Sequence, residues 1–182
     1  MSLNKDHQLV LMKLAEGLPA IIPEFGDVLA QAGAVCFADQ NHPKGVELKV
    51  DGTFQAKYKV FWQDVTDQMR RTFNDPDLAT EWGACGVALL LVLDLTEYTV
   101  INTSRKGTGF DYWLGKKDNG DELLFQNKAR LEVSGIRKGS YSQVKARVKQ
   151  KLEQVKPSDS PFLPAYIVVV EFNMPLSHVV KK

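Results

Sequence analysis

The chain is poor in the residues that ordinarily build a redox or transition-metal centre. Its 182 residues include two cysteines, Cys36 and Cys85, and three histidines, His7, His42 and His178. Two isolated cysteines make neither a disulfide framework nor a zinc site, and the histidines fall at no ligand spacing. The longest uncharged apolar run, Trp82–Leu93, is twelve residues, against the roughly 20 that span a bilayer. The opening MSLNKDHQ lacks the basic-then-apolar order of a secretory signal. No internal repeat or low-complexity tract is present. These absences predict a reduced, cytoplasmic protein with no membrane partner.

What is present is an ordinary globular composition, 44% hydrophobic and 25% charged, in a chain long enough for one domain with a proper core. Net charge is +1 but unevenly spread. Residues 134–156 carry Arg137, Lys138, Lys145, Arg147, Lys149, Lys151 and Lys156 against Glu153 alone, so this segment is +6 and the remainder −5. Such a concentration is either the footprint of a polyanion partner or the solvated face of a lysine-rich helix.

Residues 1–75 read as an accessory part. Helices are expected over Lys5–Glu16 and from Pro23 to about Gln31. A β-hairpin is expected about Asp51-Gly52, which strand-forming residues flank on both sides, and a helix at QDVTDQMRRTF. From residue 76 to 175 the pattern changes. NDPDLATEWGACGVALLLVLDL opens with capping residues and a proline, then turns apolar on nearly every side, as a helix buried against a sheet does. Strands are expected at YTVINTS (98–104) and FDYWLG, separated by the turn RKGTG. In LFQNKARLEVS (124–134), Phe125, Ala129, Leu131 and Val133 share one face, with Asn127 the exception, and Gln126, Lys128, Arg130, Glu132 and Ser134 share the other. Tyr141, Val144, Val148, Leu152 and Val155 then predict an amphipathic helix, and AYIVVVEF a strand buried on both faces. Lys145, Lys149 and Lys156 fall on one flank of that helix's apolar stripe, Arg147 and Lys151 on the other. The order helix, three-strand meander, helix, strand predicts an α/β mixed sheet with helices on both sides. Residues 176–182 are left as a C-terminal tail.

That order, with Asp111 on the second strand and Glu132 on the third, resembles the PD-(D/E)XK, or restriction-endonuclease-like, nuclease superfamily over about 95 residues, Asp77–Phe172. The literal Pro76-Asp77 precedes the first helix and is a coincidence; Gly109-Phe110-Asp111 occupies the motif's place. The resemblance implies that Asp111 is the principal metal ligand and Glu132 the second, helped by the Val133 carbonyl. Glu81 matches an acid on the family's first helix. The implied cofactor is Mg²⁺ or Mn²⁺, and the implied reaction attack of an activated water on a DNA phosphodiester. Taken singly, Asp111 can terminate a turn, Glu132 can occupy a solvated strand face, and Glu81 can complement a helix dipole.

One position departs from the pattern: Ser134 stands where a lysine is expected. Lys145 or Lys128 is the expected substitute, with Arg130, Lys138, Gln143 and Lys149 as substrate contacts. The alternative is an inactive nuclease fold kept as a nucleic-acid or protein-binding scaffold, its acids neutralised by Arg130 or Lys128. A third reading makes residues 1–75 the interface of a homodimer.

Overall fold

In the computed structural model, described over residues 7–117, 126, 128–156 and 163–182, the helices and strands are arranged about one continuous sheet. Strand β1 (His7–Val10) leads into a 3-10 helix (Leu11–Glu16), helix α1 (Pro23–Asp39) and strands β2 (Val46–Gly52) and β3 (Ala56–Phe61). Helices α2 (Asp67–Thr72) and α3 (Pro76–Leu95) follow, then β4 (Tyr98–Thr103), β5 (Tyr112–Lys116) and β6 (Ala129–Ile136). Helix α4 (Tyr141–Val155), β7 (Ala165–Glu171) and β8 (Leu176–Lys181) complete the chain. The eight strands lie in the order β1-β3-β2-β8-β7-β6-β5-β4. The fold is thus a mixed α/β sheet with helices on both faces.

Within it, β4, β5 and β6 form an antiparallel meander, and β6 runs parallel to β7 after crossing through α4. The helices at either end of this run are set by local chemistry. The Asp75 side chain accepts the backbone N–H groups of Asp77 and Leu78 at 2.9 and 3.3 Å, with Pro76 in the first turn of α3. Ser140 and Gln143 form a reciprocal capping box at the start of α4.

The sheet separates two apolar clusters. On one face, α1 and α3 pack over Leu131, Val133, Val168 and Val170. On the other, Val144, Val148 and Val155 of α4 meet Ile167, Val169 and Leu176. Helix α3 is the one helix among the described residues long and apolar enough to cross a membrane, and more than half of its apolar window is buried within the protein. Gly135 of β6 lets strand and helix close up, because a Cβ there would sit 2.6 Å from the Thr80 carbonyl oxygen of α3.

Several expectations are corrected. Residues 176–182 are no tail, since β8 pairs with β7 on one side and β2 on the other. Through that pairing residues 1–75 contribute three strands to the same sheet. The helix expected over Lys5–Glu16 is a strand followed by a 3-10 helix in its described part, 7–16. Leu11 and Leu14, both fully buried, are spaced i, i+3, which eclipses in a 3-10 turn as readily as it forms an α-helical face. Helix α1 runs to Asp39, beyond Gln31, because Ala32–Phe37 are buried against the core. The hairpin about Asp51-Gly52 forms as the antiparallel pair β2/β3, but its reversal spans 51–55 and is wider than a two-residue turn, because Asp51 and Gly52 pair with His178 and Val179 of β8. Of the stretch 124–134, Leu124, Phe125 and Asn127 lie outside the described residues, and β6 begins at Ala129.

Candidate functional site where β5 leaves β6

Strand β5 pairs with β6 only as far as Tyr112 opposite Leu131. One residue earlier the Asp111 N–H donates to the Leu131 carbonyl at 2.9 Å, and the chain then turns away into the loop 104–110. The Asp111 carboxylate takes over the ladder at that point, its Oδ2 accepting the Val133 N–H at 2.8 Å. Beyond it, β6 has no partner strand on this side among the described residues. The loop's last glycine fixes the approach: Gly109 has φ +83°, and a Cβ there would meet the Gln154 carbonyl at 2.6 Å.

Glu132 lies on the α4 face of β6 and is 2% exposed. Its Oε1 accepts Lys151 Nζ at 2.6 Å and Gln154 Nε2 at 3.0 Å, both from α4. Its Oε2 is buried without a hydrogen-bond partner among the described residues. Burial first, and the adjacent Asp111 carboxylate second, push the Glu132 carboxyl up to about 7, against the opposing pull of Lys151. The two carboxylates are within hydrogen-bonding reach of each other, yet both are acceptors, so only a proton or a cation can join them.

A cavity of about 460 Å³ opens along the unpaired edge of β6. Asp77, Thr80 and Glu81 of α3 form one wall, Arg147 and Lys151 of α4 the other, and Asp111 lies among its lining residues. Arg147 Nη1 donates to Ser134 Oγ at 2.8 Å, so the serine standing in the lysine's place anchors an arginine. The lining continues along β6 to Arg137, whose Nη2 donates to Asp39 at 2.7 Å. Cys85 also borders the cavity, but burial, with Asp111 nearby, pushes its thiol up to about 12; it is no thiolate nucleophile.

The structure brings Asp111 and Glu132 together and sets Glu81 on the cavity wall. Glu81 is exposed there. The remaining sequence candidates are elsewhere. Lys145 is exposed, its Nζ 5.2 Å from the centre of the Tyr141 ring. Lys149 is exposed on the same flank of α4. Lys128 precedes β6, its N–H bonded to the Leu114 carbonyl, and does not line the cavity. Gln143 is occupied in the α4 capping box, and Lys138 is exposed beyond the end of β6. Arg130 is 2% exposed, with Nη2 on the Leu163 carbonyl at 2.8 Å, so it holds backbone together and cannot fork onto a phosphate. The neutralising cation is neither Arg130 nor Lys128 but Lys151. Trp113 packs edge-on against Phe110 at 4.7 Å, beside the α4-side core.

Sequence reasoning missed Lys151, Arg147 and Arg137 as site residues. The i, i+4 spacing of Arg147 and Lys151 was visible, but only the rotation of α4 on the sheet shows which flank faces the acids.

Among the described residues no group of three or more His, Cys, Asp and Glu side chains is placed to hold a metal ion. The orphaned Glu132 Oε2 and the facing Asp111 nonetheless suit a hard cation of the Mg²⁺ type, which takes one or two carboxylates and completes its shell with water and phosphate. Comparison with protein-family models, with curated proteins and with solved structures gives no match, so the chemistry of the site rests on this geometry.

Proposed function

We propose that this chain is a divalent-metal-dependent nuclease acting on DNA phosphodiesters, with a restriction-endonuclease-like core formed by α3, β4–β6, α4 and β7. The observation that carries the reading is the convergence of Asp111, buried Glu132 and Lys151 where β5 leaves β6. The PD-(D/E)XK pattern asks for two acids and a lysine at that point; here α4 supplies the lysine from across the strand. Asp111 and Glu132 would hold Mg²⁺ or Mn²⁺ through carboxylate oxygens, with Glu81 on the facing wall. Such an ion polarises a phosphate and lowers the pKa of an attacking water. Lys151 orients Glu132 through Oε1 and donates a second proton to Gln154 Oε1 at 3.0 Å, which leaves its third to stabilise charge on a phosphate in the cavity it lines. Arg147, anchored by Ser134, lines the same cavity.

One observation favours a second reading, the non-catalytic scaffold: Lys151 is already paired with Glu132, which neutralises the acid without metal. Cleavage of supercoiled, linear and single-stranded DNA with Mg²⁺ or Mn²⁺ separates the two. Wild type should cut only with metal and Asp111→Ala not at all, while Lys151→Met should lose on the order of 10²–10³ in rate, as for removal of one charge-stabilising donor. No cutting by wild type on any substrate, with DNA bound equally by all three proteins, refutes the nuclease and leaves the scaffold.

A further inference from the structure

Of the two acids proposed to hold the metal, Asp111 alone lines the cavity. Its lining runs on from Val133 to Arg137, about 13 Å of strand, more than one phosphate group covers. Two arginines reach this second stretch from opposite sides of the β6 edge. Arg147 comes from α4 and is fixed by Ser134. Arg137 is held by Asp39 at the end of α1. Asp39 also carries Arg70, so one carboxylate is shared between two guanidinium groups and the trio keeps a net positive charge. Arg137 is 29% exposed at its side chain, accessible yet restrained. A restrained guanidinium retains most of its fork geometry for an incoming anion, and loses little freedom on binding it.

From this arrangement, and resting on the nuclease reading of the adjoining acids, we infer that Arg137 and Arg147 form a second phosphate subsite that takes the terminal phosphate monoester of the strand whose scissile phosphate lies at Asp111 and Glu132. A monoester carries more negative charge than an internal diester and presents three oxygens, matching two guanidinium groups better than one. Arg137 directly follows the last residue of β6, so the subsite sits where that strand edge stops. The enzyme would thus prefer phosphorylated strand ends to continuous strands.

The test is fluorescence anisotropy with short single-stranded DNA oligonucleotides bearing a 5′-phosphate, a 3′-phosphate or neither, in chelator and again with Ca²⁺. One phosphorylated form should bind roughly tenfold more tightly than the unphosphorylated strand, the worth of about one charge-assisted hydrogen bond; which form gains identifies the end. Arg137→Gln should abolish that difference, and Arg137→Lys should retain part of it. Equal binding of all three oligonucleotides by wild type overturns the inference, whatever the variants do. A phosphate preference that survives in both variants places it elsewhere and also overturns it. Because binding is read without turnover, phosphate selection in a protein that does not cut would sink the nuclease alone. Metal-dependent cutting without selection would sink the subsite alone.

Discussion

Replacing Glu132 with glutamine should stabilise the metal-free protein at alkaline pH and leave it nearly unchanged in acid. In the folded protein the Glu132 carboxyl is pushed up to about 7 from an ordinary 4.5, by burial and by Asp111. Between those values the folded chain holds a proton that the unfolded chain has released. The stability this group contributes is therefore full below 4.5, falls as pH rises through about 7, and is constant above. At ~1.4 kcal/mol per pH unit the interval amounts to about 3 kcal/mol. Glutamine carries no charge to bury, keeps an acceptor for Lys151 and Gln154, and turns an amide donor towards Asp111. Thermal unfolding in chelator at pH 5 and pH 8 measures the difference. For a chain of this size Glu132→Gln should gain roughly 6–12 °C over wild type at pH 8 and little at pH 5. A variant less stable than wild type at pH 8, or a gain equal at both pH values, would show that Glu132 carries no such burden and would remove the physical reason for expecting a cation beside it.

The loop that delivers Asp111 and the turn that seats α4 can be probed in the same way. Gly107 and Gly109 both have positive φ, but a Cβ at Gly107 meets nothing within 4 Å, whereas one at Gly109 collides with the Gln154 carbonyl. Gly107→Ala should cost about 1 kcal/mol in urea unfolding, and Gly109→Ala measurably more, with a larger loss of cleavage; equal costs would refute the contact. Glu171 is fully buried and accepts the backbone N–H groups of Gly139, Asn173 and Met174 at 3.0, 3.0 and 2.6 Å, tying the entry of α4 to the β7–β8 turn. Glu171→Gln replaces an acceptor with a donor facing those groups and should cost about 2–3 kcal/mol; an unchanged urea midpoint would contradict that role.

Much of the framework was legible in the sequence because local chemistry sets it. Asp75 and Pro76 mark the start of α3, Ser140 and Gln143 that of α4, and the apolar saturation of 82–93 announces burial against a sheet. Strand β8 was missed because six residues of LSHVVK carry too short a pattern, and pairing on both sides is what gives them their place. Alternation along β6 separated Glu132 and Arg130 from Leu131 and Val133, but it could not say that α4 would cover the polar face. Covered by α4, Arg130 becomes a backbone clamp, and Glu132 a carboxyl titrating near neutrality.

By itself the sequence determined that two acids stand at a strand junction and that a basic helix follows. The tertiary structure decided which cations meet them. A period of 3.6 residues fixes where the apolar stripe of α4 lies, and both its flanks are basic. Only its packing through Val144, Val148 and Val155 turns Arg147 and Lys151 towards the cavity and leaves Lys145 and Lys149 in solvent.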